Sequence, residues 1–268
     1  MILIGIPTYN SAWSLKKTLD SIKNCNVNKK DLTIFIVDTK SSDKTISILK
    51  KYVRKNRKVF GQFLVKQLHR IEPFRYKEFM QTGSNVNILN AHNTFRDYSM
   101  RFEMDTIILG SDNIMPPDAI PRLYKCKTDI AAGYTVTQLK HDQYILNVFN
   151  WDDEQKVYIP LKTSEIGFSG LQEIMVPMKE YHEQPKSCSA AGSGLMLIKN
   201  KVFWKMQFMP WDGVQGFDVK FCQDAIKNGF TVGYDPALWY DHLHYIYRLE
   251  KNRKFLRLFI KGRRKTWY

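Results

Sequence analysis

The sequence predicts an α/β protein with a mostly parallel central sheet flanked by helices. Three observations carry this. Short runs of branched apolar residues alternate with amphipathic helical segments through the first third of the chain, which is the pattern of parallel strands joined by crossover helices. One of these runs is closed by Asp38 and another leads into a turn that carries Asp112, and open α/β sheets bind ligands outside the carboxyl ends of their strands. Finally, 44% hydrophobic and 13% aromatic residues over 268 positions give enough apolar material for a sizeable core and exclude a disordered chain.

The elements follow in order. Ile2 to Ile6 is a short apolar strand, and Pro7-Thr8-Tyr9-Asn10 is the loop after it. Leu15, Leu19 and Ile22 recur at helical spacing. Leu32 to Val37 is a second strand, closed by Asp38, and Ser41-Ser42-Asp43 offers N-cap chemistry to a helix through Ile46, Leu49 and Val53. A third strand lies within Gln62 to Leu68, a helix within about 85–100, and a fourth strand at Thr106 to Leu109. That strand runs into Gly110-Ser111-Asp112-Asn113 and a new helix after Pro116 and Pro117.

The second half is less regular. Ala131 to Thr137 and Tyr144 to Phe149 read as strands, Trp151 to Glu154 as a turn, and Val157 to Leu161 as a strand pairing back. Residues 167–185 read as loop-rich. Ala190-Ala191-Gly192-Ser193-Gly194 leads into the strand Leu195 to Ile198. A helix from Val219 to about Asn228 stops at Gly229, a residue suited to a helix C-terminus, and Thr231 to Tyr234 forms a last short strand before Pro236.

Composition narrows the chemistry. The net charge of +15 favours anionic partners such as nucleic acid, anionic lipid or phosphorylated small molecules. The four cysteines contain no C-x-x-C pair, which argues against a cysteine zinc site and for reduced thiols in a cytoplasmic protein. The opening apolar run is too short for a signal peptide, and no apolar run reaches membrane-spanning length. Asp38 can accept hydrogen bonds from a base or ribose, and Asp112 can hold a divalent cation against a diphosphate.

The motifs in this order resemble family 2 glycosyltransferases, which have the GT-A fold. Pro7 to Asn10 after the first strand, then Val37-Asp38 and Ser41-x-Asp43-x-Thr45, resemble the family's opening. Ala91-His92-Asn93 resembles its Ala-Arg-Asn segment, and Ser111-Asp112-Asn113 with Pro116, Asp118 and Ala119 resembles its metal-binding turn. Ala191 to Ile198 resembles the small-residue strand before the acceptor site. Gly216-Phe217-Asp218 resembles the acidic helix start, Gly229-Phe230 the turn after it, and His242-Leu243 the late histidine. The likeness covers roughly residues 2–245. Two positions depart from it: Gly110 replaces the first acid of Asp-x-Asp, and Phe217 replaces the first acid of Glu-Asp.

This resemblance implies a GT-A, Rossmann-like sheet with a smaller acceptor-side subregion. Residues 1–125 are the nucleotide-sugar half of one domain, 126–245 the acceptor half, and 246–268 a basic tail. It implies a metal-dependent, inverting, hexosyltransferase-type enzyme that moves a sugar from a nucleoside-diphosphate sugar to an acceptor hydroxyl on a glycan, lipid-linked or protein acceptor. Pro7, Tyr9, Asn10, Asp38, Asn93, Ser111 and Asp112 bind the donor. Asp112 and His242 hold Mn²⁺ or Mg²⁺, with His244 the competing ligand. Asp218 is the general base, its carboxylate doubling as an N-cap. Gly192 and Ser193 allow close approach of the sugar, and Trp204 and Trp211 are candidates to stack on the acceptor.

Two rivals stand beside it. A sugar nucleotidyltransferase needs a Gly-rich phosphate loop after the first strand, and Pro7 to Asn10 is not one. A catalytically degenerate GT-A-like protein binding nucleic acid or another polyanion is favoured by Gly110 and the charge, although the sequence has no specific nucleic-acid-binding signature. In the tail, Lys254, Arg257, Lys261, Arg264 and Lys265 accompany Phe255, Leu258, Phe259, Trp267 and Tyr268. That mixture fits peripheral attachment to an anionic membrane surface as well as docking onto the domain.

Overall fold

The computed structural model describes residues 1–69, 83–140, 143–152, 157–160, 184–210 and 216–243. Strands β1 (Ile2–Thr8), β2 (Leu32–Asp38), β3 (Gln62–Gln67) and β4 (Asp105–Leu109) form the parallel part of the sheet, in the spatial order β3-β2-β1-β4. Helices α1 (Leu15–Lys23), α2 (Thr45–Asn56) and α3 (Gly83–Phe102) cross between them. Because β2 and β4 lie on opposite sides of β1, the strand order reverses there. A crevice opens at such a switch point, outside the carboxyl ends of the strands.

Beyond β4 the sheet continues through β13 (Leu195–Ile198), β6 (Ile130–Tyr134), β14 (Val232–Trp239) and β11 (Lys186–Ser187), eight strands in all. β13 runs antiparallel to both its neighbours, whereas β6 and β14 are parallel to each other. Smaller pairings flank this sheet. β7 (Val136–Lys140) pairs with β8 (Gln143–Leu146), and β9 (Val148–Asp152) lies between β10 (Val157–Pro160) and β12 (Ala190–Ala191). β5 (Asn113–Ile114) pairs with β15 (Asp241–His242). Helices α4 (Ala119–Lys125), α5 (Asn200–Phe203) and α6 (Phe217–Lys227) complete the described elements.

Strand periodicity sorts the core into two layers. Ile4, Ile6, Ile34, Ile36, Ile107 and Leu109 share one cluster with Leu15, Leu19 and Leu49 of α1 and α2. Leu3, Phe35, Val37 and Ile108 share the other with Phe95 of α3 and Val219 and Phe221 of α6. Alternate residues of each strand thus face opposite helical layers. Gly5 points toward the α3 layer, where a Cβ would lie 2.6 Å from the Phe95 ring. The ring needs that space to sit against the sheet.

Some local expectations change. The single strand expected over Ala131 to Thr137 is two. The chain leaves the main sheet at Thr135, whose N–H is taken by Asn147 Oδ1 at 2.7 Å, and continues in the β7–β8 hairpin. The last strand runs past Pro236 to Trp239, because the register shifts between Tyr234 and Trp239 and no ladder donor is asked of the proline. At α2 the Ncap position falls on Lys44, and Asp43 Oδ1 accepts Thr45 N–H at 2.9 Å. The loop-rich stretch expected at 167–185 lies almost wholly outside the described residues, as do Trp211, His244 and the tail.

Candidate active site

The loops at the carboxyl ends of β1, β2 and β4 are tied together by polar side chains from distant parts of the chain. Asp38 is fully buried. Its carboxylate accepts from Thr8 Oγ1 at 3.2 Å, Ser41 N–H at 3.0 Å, the Ser41 hydroxyl, and Gln67 Nε2 at 3.2 Å. Four donors and no exposed surface make Asp38 a clamp for the loops at the carboxyl ends of β1 and β2, rather than an open acceptor. Asn10 adopts a left-handed conformation, φ 48°, which Asn tolerates better than most residues. Its N–H donates to Ser41 Oγ at 2.8 Å and its Oδ1 accepts Ser42 N–H at 2.9 Å. Pro7 lies in β1 opposite Val37, and Tyr9, 42% exposed, projects from the same loop.

The β4 turn is held from the opposite side. Ser111 Oγ lies 2.7 Å from Ser11 Oγ, and the Ser111 carbonyl accepts from both Ser14 Oγ and Thr18 Oγ1 at 2.9 Å. The hydroxyls of Ser14, the Ncap of α1, and Thr18, one turn later on its buried face, thus fix the residue before Asp112. A hydroxyl repeat on that helix face is the signal for this role in the sequence.

Asp112 and His242 meet. His242 Nε2 is 3.1 Å from Asp112 Oδ2, and both side chains remain about a quarter exposed. The backbone enforces the meeting: His242 pairs with Asn113 across β15 and β5, and Leu243 N–H donates to the Asp112 carbonyl at 2.8 Å. An oxygen and an imidazole nitrogen suit Mn²⁺ or Mg²⁺. Two adjacent ligands of one octahedral ion at about 2.1 Å each lie roughly 3.0 Å apart, close to the observed spacing. Among the described residues no third His, Cys, Asp or Glu joins them. The remaining positions on an ion would therefore fall to diphosphate oxygens and water.

Asp218 lies in the first turn of α6 and not at its Ncap, which is Gly216 with φ 97°. Asp218 Oδ2 accepts Ser193 N–H and Oδ1 accepts Val219 N–H, each at 3.0 Å. Burial pushes its pKa above the ordinary 3.8 against the pull of these two N–H donors. The residue as a whole is intermediate in exposure. Each oxygen has capacity for another hydrogen bond, so the carboxylate can still accept a proton.

Two expected residues serve the fold instead. Asn93 is committed to the backbone of Phe208: its Nδ2 donates to the carbonyl and its Oδ1 accepts the N–H, both at 2.9 Å. Its amide acts as a short piece of β-ladder and has little left for a diphosphate. Trp204 follows α5, where Asn200 N–H bonds Asp105 Oδ1 at the start of β4. That is the sheet edge opposite Asp112, so Trp204 does not border the site. His92, which takes the place of the family's arginine, is buried among Phe95, Phe208 and Phe217. Burial lowers its pKa to about 4, so the ring is neutral at physiological pH.

Comparison with known proteins accords with this geometry. Residues 3–68 match the family model "Glycosyl transferase family 2". No curated protein matches the chain in sequence. S. aureus TarS 1-349 in complex with UDP is 16% identical at TM-score 0.50, over 90% of this chain and 59% of that one. GalNAc-T7 with UDP, GalNAc and Mn²⁺ is 12% identical at TM-score 0.59, over 90% and 43%. The mannosyltransferase PcManGT from Pyrobaculum calidifontis, in complex with GDP-Man and Mn²⁺, is 14% identical at TM-score 0.50, over 98% and 64%. The chain therefore spans less than two thirds of the length of each of these structures. With its α/β sheet and its acidic turn after β4, the chain has the GT-A fold, and its residues 3–68 are similar to glycosyltransferase family 2.

Proposed function

We propose that this chain is a metal-dependent glycosyltransferase of hexosyltransferase type. It transfers a sugar from a nucleoside-diphosphate donor to an acceptor hydroxyl with inversion. The observation that carries the proposal is the convergence of Asp112 and His242 at 3.1 Å on the carboxyl edge of the sheet, at the switch point where an α/β sheet takes its ligand. The similar structures that hold UDP, or GDP-Man with Mn²⁺, support the same donor class.

In this reading the donor occupies the crevice above β1, β2 and β4, with Tyr9 against the base and the Asp38 clamp holding the loops. Asp112 and His242 would hold Mn²⁺ or Mg²⁺, which when bound supplies positive charge to the departing diphosphate. Asp218 Oδ takes the proton from the acceptor hydroxyl as that oxygen forms its bond to the anomeric carbon. The bond from that carbon to the diphosphate oxygen breaks on the opposite face. A carboxylate with a raised pKa is the stronger base for this task. The acceptor, whether glycan, lipid-linked or protein, enters from the side of residues 126–245. Among the described residues no helix is long and apolar enough to cross a membrane, and the basic tail is the segment we assign to an anionic membrane surface.

The test is a panel of nucleotide sugars and nucleoside diphosphates screened for thermal stabilisation with and without Mn²⁺. A bound ligand raises stability by mass action, so one donor class should raise the melting temperature only when metal is present. No stabilisation by any nucleotide, with or without Mn²⁺, would sink the reading.

A further inference from the structure

The turn that carries Asp112 and the segment that supports Asp218 are joined by one side chain, that of Asn113. It is 2% exposed. Its Nδ2 donates to the Gly194 carbonyl at 2.8 Å, and the same carbonyl accepts Gly110 N–H at 3.0 Å. The preceding residue, Ser193, donates its N–H to Asp218 Oδ2. One residue earlier, Gly192 N–H donates to the Asn147 carbonyl at 2.7 Å. Residues 192–194 thus form a strap, with Asp218 bonded at its centre and the Asp112 turn bonded at its end.

Space in this strap is tightly allotted. A Cβ on Gly110 would lie 2.5 Å from Asn113 Nδ2 and 3.1 Å from its Cγ. The Asn113 amide therefore occupies the place of a side chain at position 110. A Cβ on Gly194 would fall 2.2 Å from the Tyr240 hydroxyl and 2.8 Å from Asn113 Nδ2, and that hydroxyl accepts from Asn147 Nδ2 at 2.9 Å. Asn113 Oδ1 is buried with no hydrogen-bond partner among the described residues. A buried acceptor left unpaired opposes folding. Stability alone does not account for an asparagine here.

We propose that Asn113 is a positioning residue that fixes Asp112 relative to Asp218 through Gly194 and Ser193, and that Gly110 supplies the space it requires. The inference rests on the transferase reading above. It also changes the meaning of Gly110: an acid at that position would expel the Asn113 amide and break the bridge rather than restore a lost ligand.

The experiment uses the full chain carrying Asn113→Ala, Gly110→Asp, or Gly110→Asp with Asn113→Gly. The measurements are Mn²⁺-dependent UDP and GDP binding by calorimetry, melting temperature, and kcat and KM for donor hydrolysis or transfer. Asn113→Ala should bind nucleotide within about threefold of the parent while kcat falls by about 10- to 100-fold, the scale of a misplacement near 1 Å. Gly110→Asp should melt below the parent and lose kcat. Adding Asn113→Gly should recover the melting temperature but not kcat, because the bridge is still missing. Parental kcat in Asn113→Ala, parental melting in Gly110→Asp, or full recovery of kcat in the double variant would each overturn the proposal. A parent chain that binds no nucleoside diphosphate would instead refute the transferase reading, and the melting comparison would still decide whether Asn113 fills the place of a residue-110 side chain.

Discussion

The ends of β2 and β4 carry the same feature, a carboxylate just past a buried strand, and the fold treats the two oppositely. Asp38 is fully buried and accepts hydrogen bonds from Thr8, Ser41 and Gln67. Asp112 keeps a quarter of its side chain exposed and faces His242. A saturated buried carboxylate contributes order, whereas a part-exposed one beside an imidazole has valence to offer an ion. On the proposed reading, an acid at a sheet edge becomes a clamp or a metal ligand according to how many donors the neighbouring loops bring to it.

The largest expected effect lies at the β4 end. Asp112→Ala should abolish metal-dependent nucleotide binding while moving the melting temperature little, and His242→Ala should weaken that binding without abolishing it. Calorimetry with and without Mn²⁺ checks both. Unchanged metal dependence in Asp112→Ala would erase the proposed contrast with Asp38.

Next comes Asp218, which combines both characters, holding two backbone N–H donors in a residue of intermediate exposure. Asp218→Asn should lower transfer by about 10²–10⁴-fold, the usual loss of general-base help, with donor affinity nearly kept. Because its pKa is raised by burial, the acid limb of kcat/KM, which reports the free enzyme, should be shifted upward from that of an unburied carboxylate. For stability the sign is opposite: the protonated form is favoured in the fold. This group's contribution is therefore full below its unfolded pKa and is lost as pH rises through the raised value. A pH–kcat/KM profile measured on the parent locates the limb. Near-normal transfer by Asp218→Asn would remove it as the base.

Asp38 should show a smaller effect, of a different kind. Asp38→Asn sets an amide against several hydrogen-bond donors and should cost about 2–4 kcal/mol, on the scale of bonds to a charged group. That corresponds to a melting temperature lower by roughly 5–15 °C for a domain of this size. Thermal melts decide it. Parental stability with lost nucleotide binding would show Asp38 to be a direct ligand contact after all.

The smallest effect concerns His92. Its pKa is lowered to about 4 by burial, so it contributes stability that is present above its unfolded pKa and lost as pH falls toward 4. His92→Leu should shift the acid-unfolding midpoint to lower pH with activity at neutral pH retained. An unchanged midpoint would show that other groups govern acid unfolding.

Local pattern made most of the parallel part of the sheet legible. The apolar periods at Ile2 to Ile6, Leu32 to Val37 and Thr106 to Leu109 correspond to β1, β2 and β4, and Leu15, Leu19 and Ile22 mark the buried face of α1. Gly229 stands just past α6 with φ 81°, as a helix-ending glycine should. Less was legible where the chain changes sheets. Neither the break at Thr135 nor the extension of β14 past Pro236 has a signal in side-chain period, since each depends on which strand arrives alongside.

Legible from the sequence alone were the α/β class, the order of strands and helices through β4, and the placing of Asp38 and Asp112 at one sheet edge. These follow from spacing along the chain, because period 2 and period 3.6 are local properties. Only the tertiary structure decided which acid is a clamp, that Asn93 serves the backbone of Phe208, and that Asn113 fills the space left by Gly110. Those outcomes depend on partners 29 to 130 positions away along the chain or set by a turn's three-dimensional shape, as with Gln67 for Asp38 and His242 for Asp112. Hydrogen bonding and close packing act through space at a few ångströms, and only the folded chain brings such residues within that reach.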